Sequence, residues 1–216
     1  MSSLIFLTDQ DNILVATDTL GTSSKDNSSS IYTTKAFIVP HLKMIICGTG
    51  VDLAAHWFIQ VNNGSVVRGI DHLNCHTPDA LKKIWLDADL INDLNGVMKT
   101  STIYHFGLSE NSGCIRSYAY RSTNQFKSET LEYGLGVKPP VSVQKDIVFP
   151  EGIVELMNRQ REIESTKPIM EQVRIGGEIV LTSLTQKGFT VSTIGRFADF
   201  AEDQQIMFNN FKTNNR

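Results

Sequence analysis

The chain has 216 residues, 41% apolar and 20% charged, with a net charge of −3 and a pI of about 5.9. That length suits one domain with a sizeable core. The charge excludes the basic footprint of a nucleic-acid binder, and no apolar run reaches the roughly eighteen residues of a membrane span.

Residues 3–8 (S-L-I-F-L-T) and 13–18 (I-L-V-A-T-D) are β-rich and flank a polar turn, Asp9 to Asn12. This predicts a hairpin beginning almost at the first residue. Residues 19–30 form a polar loop, 31–39 a third strand closed by Pro40, and 43–48 a short, nearly all-apolar fourth strand. A helix is expected from about residue 50, with Thr49 and Asp52 as a capping box. Thr77-Pro78-Asp79 marks the start of a second helix with apolar face Leu81, Ile84, Trp85 and Ala88.

Strands are expected at 102–108 and 114–120, and a further short one near 130–133. Pro139-Pro140 breaks the chain before a helix from Pro150 to about Ser165. Residues 178–184 and 189–194 flank Thr185-Gln186-Lys187-Gly188 as a hairpin. The tail from about 209 to 216 is polar and expected to fray. Segregated runs of strands and helices predict α+β rather than a parallel βαβ fold.

The N-terminus has no basic region followed by a long apolar stretch, and the three cysteines are too few for a disulfide framework. The expected location is cytoplasmic. His72-Leu73-Asn74-Cys75-His76 has no second ligand pair at zinc spacing, so no metal cluster is expected there, and the chemistry read below needs no metal or organic cofactor.

The chemistry begins at Ser2. Methionine aminopeptidases remove Met1 before a small residue, and a free Ser2 would then carry a hydroxyl and an α-amine together. An α-amine has a pKa of about 7.7–8, so it can serve as a base near neutral pH. Such a site also needs a cation to tune the pair, a carboxylate to hold the cation, and an oxyanion donor. Asp18 ends the second strand, Lys35 lies in the third, and the Gly48 N–H follows the fourth.

These residues resemble the proteasome β subunits and the peptidase of the bacterial two-component heat-shock protease. Ala16-Thr17-Asp18-Thr19-Leu20-Gly21-Thr22 is similar to the family's A-[AG]-D-x-x-x-T string, and the separation from Ser2 to Asp18 is 18 − 2 = 16 positions, as in the family. Ile175-Gly176-Gly177-Glu178-Ile179 resembles the glycine turn before its last hairpin, and Gly134-Leu135-Gly136 resembles its G-S-G turn. Leu135, Gln172 and Ile175 stand where the family carries an accessory serine, aspartate and serine.

The resemblance implies one domain with an αββα sandwich of two antiparallel sheets between helix layers. It implies peptide-bond hydrolysis with Ser2 as nucleophile, Lys35 tuning it, Asp18 holding Lys35 and Gly48 binding the oxyanion. Leu20, Gly21 and Thr22 would align an extended polypeptide. A homo-oligomeric ring is implied, and an ATPase partner is compatible with it. The alternatives are an inert assembly subunit and a small-molecule amidase on the same fold.

Overall fold

The structure is a computed structural model and describes residues 3–22, 30–64, 66–87, 100–143, 147–169 and 171–214. It is mixed α+β with antiparallel sheets. The first sheet has the order β10-β1-β2-β11-β12, built from β10 (Gly134–Lys138), β1 (Leu4–Thr8), β2 (Asn12–Asp18), β11 (Glu178–Thr185) and β12 (Gly188–Arg196). The second has the order β5-β6-β7-β8-β9, from β5 (Ala36–Val39), β6 (Met44–Gly50), β7 (Ser101–Leu108), β8 (Ile115–Arg121) and β9 (Ser128–Thr130). A short ribbon pairs β3 (Leu20–Thr22) with β4 (Ser30–Tyr32). The described helices are α1 (Ala54–Gly64), α2 (Ile70–Leu86), α3 (Gly152–Ser165) and α4 (Phe200–Asn214).

Strand alternation explains where the cores sit, because successive side chains leave a strand on opposite faces. Leu4, Phe6 and Val15 meet Ile45, Cys47, Tyr104 and Phe106 between the two large sheets. Ile5, Ala16 and Ile179 point the other way, onto Ile153, Leu156 and Met157 of α3. Met44, Ile46 and Ile103 likewise turn from the inter-sheet core toward Trp57 and Val61 of α1 and Leu73 and Leu81 of α2. Both faces of these strands are therefore apolar, which is why β6 reads as an unbroken hydrophobic run.

Several expectations need correction. The third strand is two strands, β4 and β5, and Lys35 lies in the break between them. The polar loop after Asp18 contains β3, and its residues 23–29 lie outside the described residues. No capping box starts α1: Thr49 remains in β6, and the Leu53 carbonyl accepts the first bond, from the Trp57 amide at 2.9 Å.

Helix α2 starts at Ile70, not Thr77, because the Glu110 carboxylate in the β7–β8 turn accepts the amides of Asp71 (3.0 Å) and His72 (2.7 Å). Thr77 and Pro78 lie inside it, with the Thr77 hydroxyl turned back onto the Leu73 carbonyl at 2.9 Å. Ala88, expected on that helix's apolar face, lies outside the described residues.

The tail does not fray from 209, since α4 runs to Asn214, anchored at its start by Phe200. That ring stacks on Tyr32 at 5.2 Å, and the Tyr32 hydroxyl donates to the Phe200 carbonyl at 2.9 Å. Gly134-Leu135-Gly136 is no turn but the start of β10, paired with Thr8, Leu7 and Phe6. A Cβ on Gly136 would lie 2.1 Å from Phe6 Cζ, so that glycine serves close packing. No described helix is long and apolar enough to cross a membrane.

Candidate active site

Asp18 is the last residue of β2 and is fully buried. A carboxylate there requires donors on both oxygens. Oδ1 accepts the Lys35 ammonium at 2.7 Å and the Ser3 amide at 2.9 Å, and Oδ2 accepts the Gly176 amide at 3.2 Å. Lys35, 9% exposed, also donates to the Leu20 carbonyl at 2.6 Å. The side chain expected inside a strand thus reaches in from the β4–β5 break to a carboxylate and a carbonyl.

Gly48 follows the residue at which the β5–β6 ladder ends, since Ala36, next to Lys35, pairs with Cys47. Gly48 pairs with Ile103 on its other side. A Cβ there would lie 2.9 Å from Ala54 Cβ, so α1 leaves no room for a side chain.

The two glycines before the last hairpin sit against Asp18 and Thr19. Gly176 holds Asp18 by its amide, and its carbonyl accepts the Leu20 amide at 3.1 Å. Gly177 has φ +82°, and a Cβ there would meet Thr19 Oγ1 at 2.3 Å. Of the substrate-aligning stretch, Leu20 has both backbone groups already bonded and its side chain buried. Gly21 and Thr22 pair on one edge with Ile31 and Ser30.

Ser2 lies outside the described residues; its neighbour Ser3 is fully buried beside Asp18. The three accessory positions carry no hydroxyl or carboxylate. Leu135 sits on β10 opposite Leu7. Ile175 belongs to the core under α3. Gln172 donates to the Ser165 and Lys167 carbonyls at 3.2 and 2.7 Å and so closes the end of α3.

Sequence reasoning missed Gln160 of α3, 1% exposed, which accepts the Ser3 hydroxyl at 2.6 Å. Its only sequence signal is a glutamine among the charged residues of an amphipathic helix, which suggests a solvent face.

A cavity of about 840 Å³ opens beside Lys35, lined also by Thr17, Thr33, Phe37, Phe58 and Val191. Phe37 and Phe58 stack at 5.0 Å in its wall. His72 and His76 lie elsewhere, one helical turn apart. His72 Nδ1 accepts the Arg68 amide at 3.3 Å, which leaves the proton on Nε2, 3.4 Å from His76 Nε2. Among the described residues no group of three or more His, Cys, Asp or Glu side chains is placed to hold a metal. Cys47 is buried in the inter-sheet core, and burial pushes its thiol pKa up, away from the reactive thiolate.

Compared with known protein families and curated proteins, the chain matches no family model and no curated sequence.

Proposed function

We propose that this chain is an N-terminal-nucleophile hydrolase of the proteasome-subunit type, cleaving peptide bonds through Ser2 after removal of Met1. The observation that carries this reading is Lys35, a buried ammonium held by Asp18 and the Leu20 carbonyl, with the amide of Ser3 on the same carboxylate oxygen. A buried lysine is costly unless its charge is used or fully paired, and this one is fixed next to the start of β1. The three cores, α1–α2 on one sheet, sheet on sheet, and the other sheet on α3, support the αββα layering of that family.

In the proposed reaction the Ser2 oxygen attacks the scissile carbonyl carbon and its proton passes to the Ser2 amine. The Gly48 N–H donates to the oxyanion, while Lys35 lowers the pKa of both Ser2 groups. Collapse breaks the C–N bond, the leaving amine takes the proton from the Ser2 ammonium, and an ester remains. Water then attacks that ester, giving its proton to the amine; collapse breaks the bond from the carbonyl carbon to the Ser2 oxygen, which takes that proton back from the ammonium, and the acid product departs. Gly21 and Thr22 align an extended polypeptide by strand pairing, and the adjoining cavity receives its side chains. The setting we propose is a cytoplasmic homo-oligomeric ring, which an ATPase partner would feed.

One observation favours the second reading, an inert assembly subunit. Leu135, Gln172 and Ile175 bring no hydroxyl or carboxylate to relay the amine's proton.

Intact mass and N-terminal sequencing, followed by a peptidyl epoxyketone, separate the two. That electrophile closes a ring only with an amine and a hydroxyl on one residue. A chain beginning at Ser2 that gains one adduct there, and not in Lys35→Met, supports the hydrolase. A retained Met1, or no adduct at saturating reagent, refutes it and leaves the assembly subunit.

A further inference from the structure

The β1–β10 ladder ends at Leu4 and Lys138. The Ser3 amide faces the other way, onto Asp18 at the end of β2, so the backbone of Ser3 turns away from Pro139. Strand ends without ladder partners are loose, and Ser3 adjoins the residue on which the proposed chemistry depends.

Gln160 bridges Ser3 and Pro139 from α3. Its side-chain N–H donates to the Pro139 carbonyl at 2.5 Å, and its carbonyl accepts the Ser3 hydroxyl at 2.6 Å. The Pro139 carbonyl can only accept, so the amide orientation of Gln160 is determined, with the nitrogen toward Pro139 and the oxygen toward Ser3. Both Ser3 and Gln160 are buried from solvent. Ser3 is thereby held on two sides, its amide by Asp18 and its hydroxyl by Gln160.

We propose that Gln160 is a positioning residue: its side chain ties Ser3 to Pro139 and so fixes the start of β1. The link to catalysis rests on the hydrolase reading above; the link to strand order does not. A displacement of about 1 Å at a reacting group costs on the order of 100-fold in rate, so a tether here matters more to kcat than to substrate affinity.

The test uses the whole chain and the variants Gln160→Leu, Gln160→Glu and Ser3→Ala. Gln160→Leu should speed hydrogen exchange of the Ser3 amide by about 10- to 100-fold, the scale of one or two lost buried hydrogen bonds. It should slow epoxyketone capture by a similar factor at saturating reagent, with the half-saturating concentration unchanged.

Gln160→Glu supplies the signature that a purely structural role would not give. A neutral carboxyl both accepts from Ser3 and donates to Pro139, whereas a carboxylate cannot donate. Capture by this variant should recover, relative to wild type, as pH falls through its carboxyl pKa. Should Gln160→Leu not fold, Gln160→Glu above that pKa and Ser3→Ala give the same exchange readout. Ser3 exchange within about twofold of wild type in the folded variants overturns the proposal. A wild type that is never captured defeats the hydrolase reading instead, and the exchange result still decides the role of Gln160 in strand order.

Discussion

Replacing Lys35 with methionine removes one charge from a buried pair and keeps most of the side-chain volume. Asp18 is fully buried and Lys35 nearly so, so the carboxylate left behind would lose the Lys35 counter-ion while retaining the amides of Ser3 and Gly176. Breaking a buried pair from one side costs about 3–5 kcal/mol; the two remaining amides set the expectation at the lower end, about 3 kcal/mol. With a urea m value of about 2–3 kcal/mol/M, the midpoint falls by about 1–1.5 M.

Asp18→Ala should be worse, because it strands the Lys35 charge and leaves two buried amides without their acceptor, each costing about 1–3 kcal/mol. Neutralising both partners, as Asp18→Asn with Lys35→Met, should lose less than Lys35→Met alone, since no buried charge remains. Equilibrium urea unfolding followed by tryptophan fluorescence measures all three. A Lys35→Met protein within about 0.5 kcal/mol of wild type would refute the reasoning, as would a double variant less stable than Lys35→Met; the scale for both is the exposed-pair median of about 0–1 kcal/mol.

His105 offers a pH prediction. It is fully buried, stacks on Trp57 and accepts the Trp57 indole N–H at 2.8 Å, and burial pushes its pKa down to about 3. The folded state binds the proton less readily than the unfolded chain, whose histidine pKa is about 6.5. Its contribution is therefore complete above pH 6.5 and is lost as pH falls toward 3, at about 1.4 kcal/mol per unit. Wild type should lose about 2 kcal/mol more than His105→Gln between pH 6.5 and 4.5 in urea unfolding, and parallel curves would contradict this. Gly177→Ala should cost more than about 1 kcal/mol, because it combines a left-handed backbone with contact on Thr19; a melting temperature equal to wild type would contradict that.

The hairpin of β1 and β2 was legible because its strands are β-rich, continuous and separated by a polar turn. Lys35 and Asp18 were legible as a pair because a charge in an apolar stretch must find a partner. Helix α2 was misread at its start because its cap, Glu110, is 38 residues distant from His72 and the Thr77-Pro78-Asp79 string imitates a helix beginning. Strand β10 was misread because its glycines suggest a turn, whereas Gly136 is required by the ring of Phe6 across the ladder. Gln160 was invisible for the same physical reason: its partner Ser3 is 157 residues distant, and nothing local distinguishes a buried glutamine from a solvated one.

The carboxylate of Asp18 gathers donors from residues 3, 35 and 176. A chain emerging from the ribosome has the first two early but lacks the third until most of its length has been made. The constellation around Lys35 is thus a late product of folding, completed when β11 closes beside β2. Contacts of such long sequence separation form slowly, so any activity here would be withheld from the nascent chain and switched on by the docking of its last hairpin. A half-made molecule would be harmless to its neighbours.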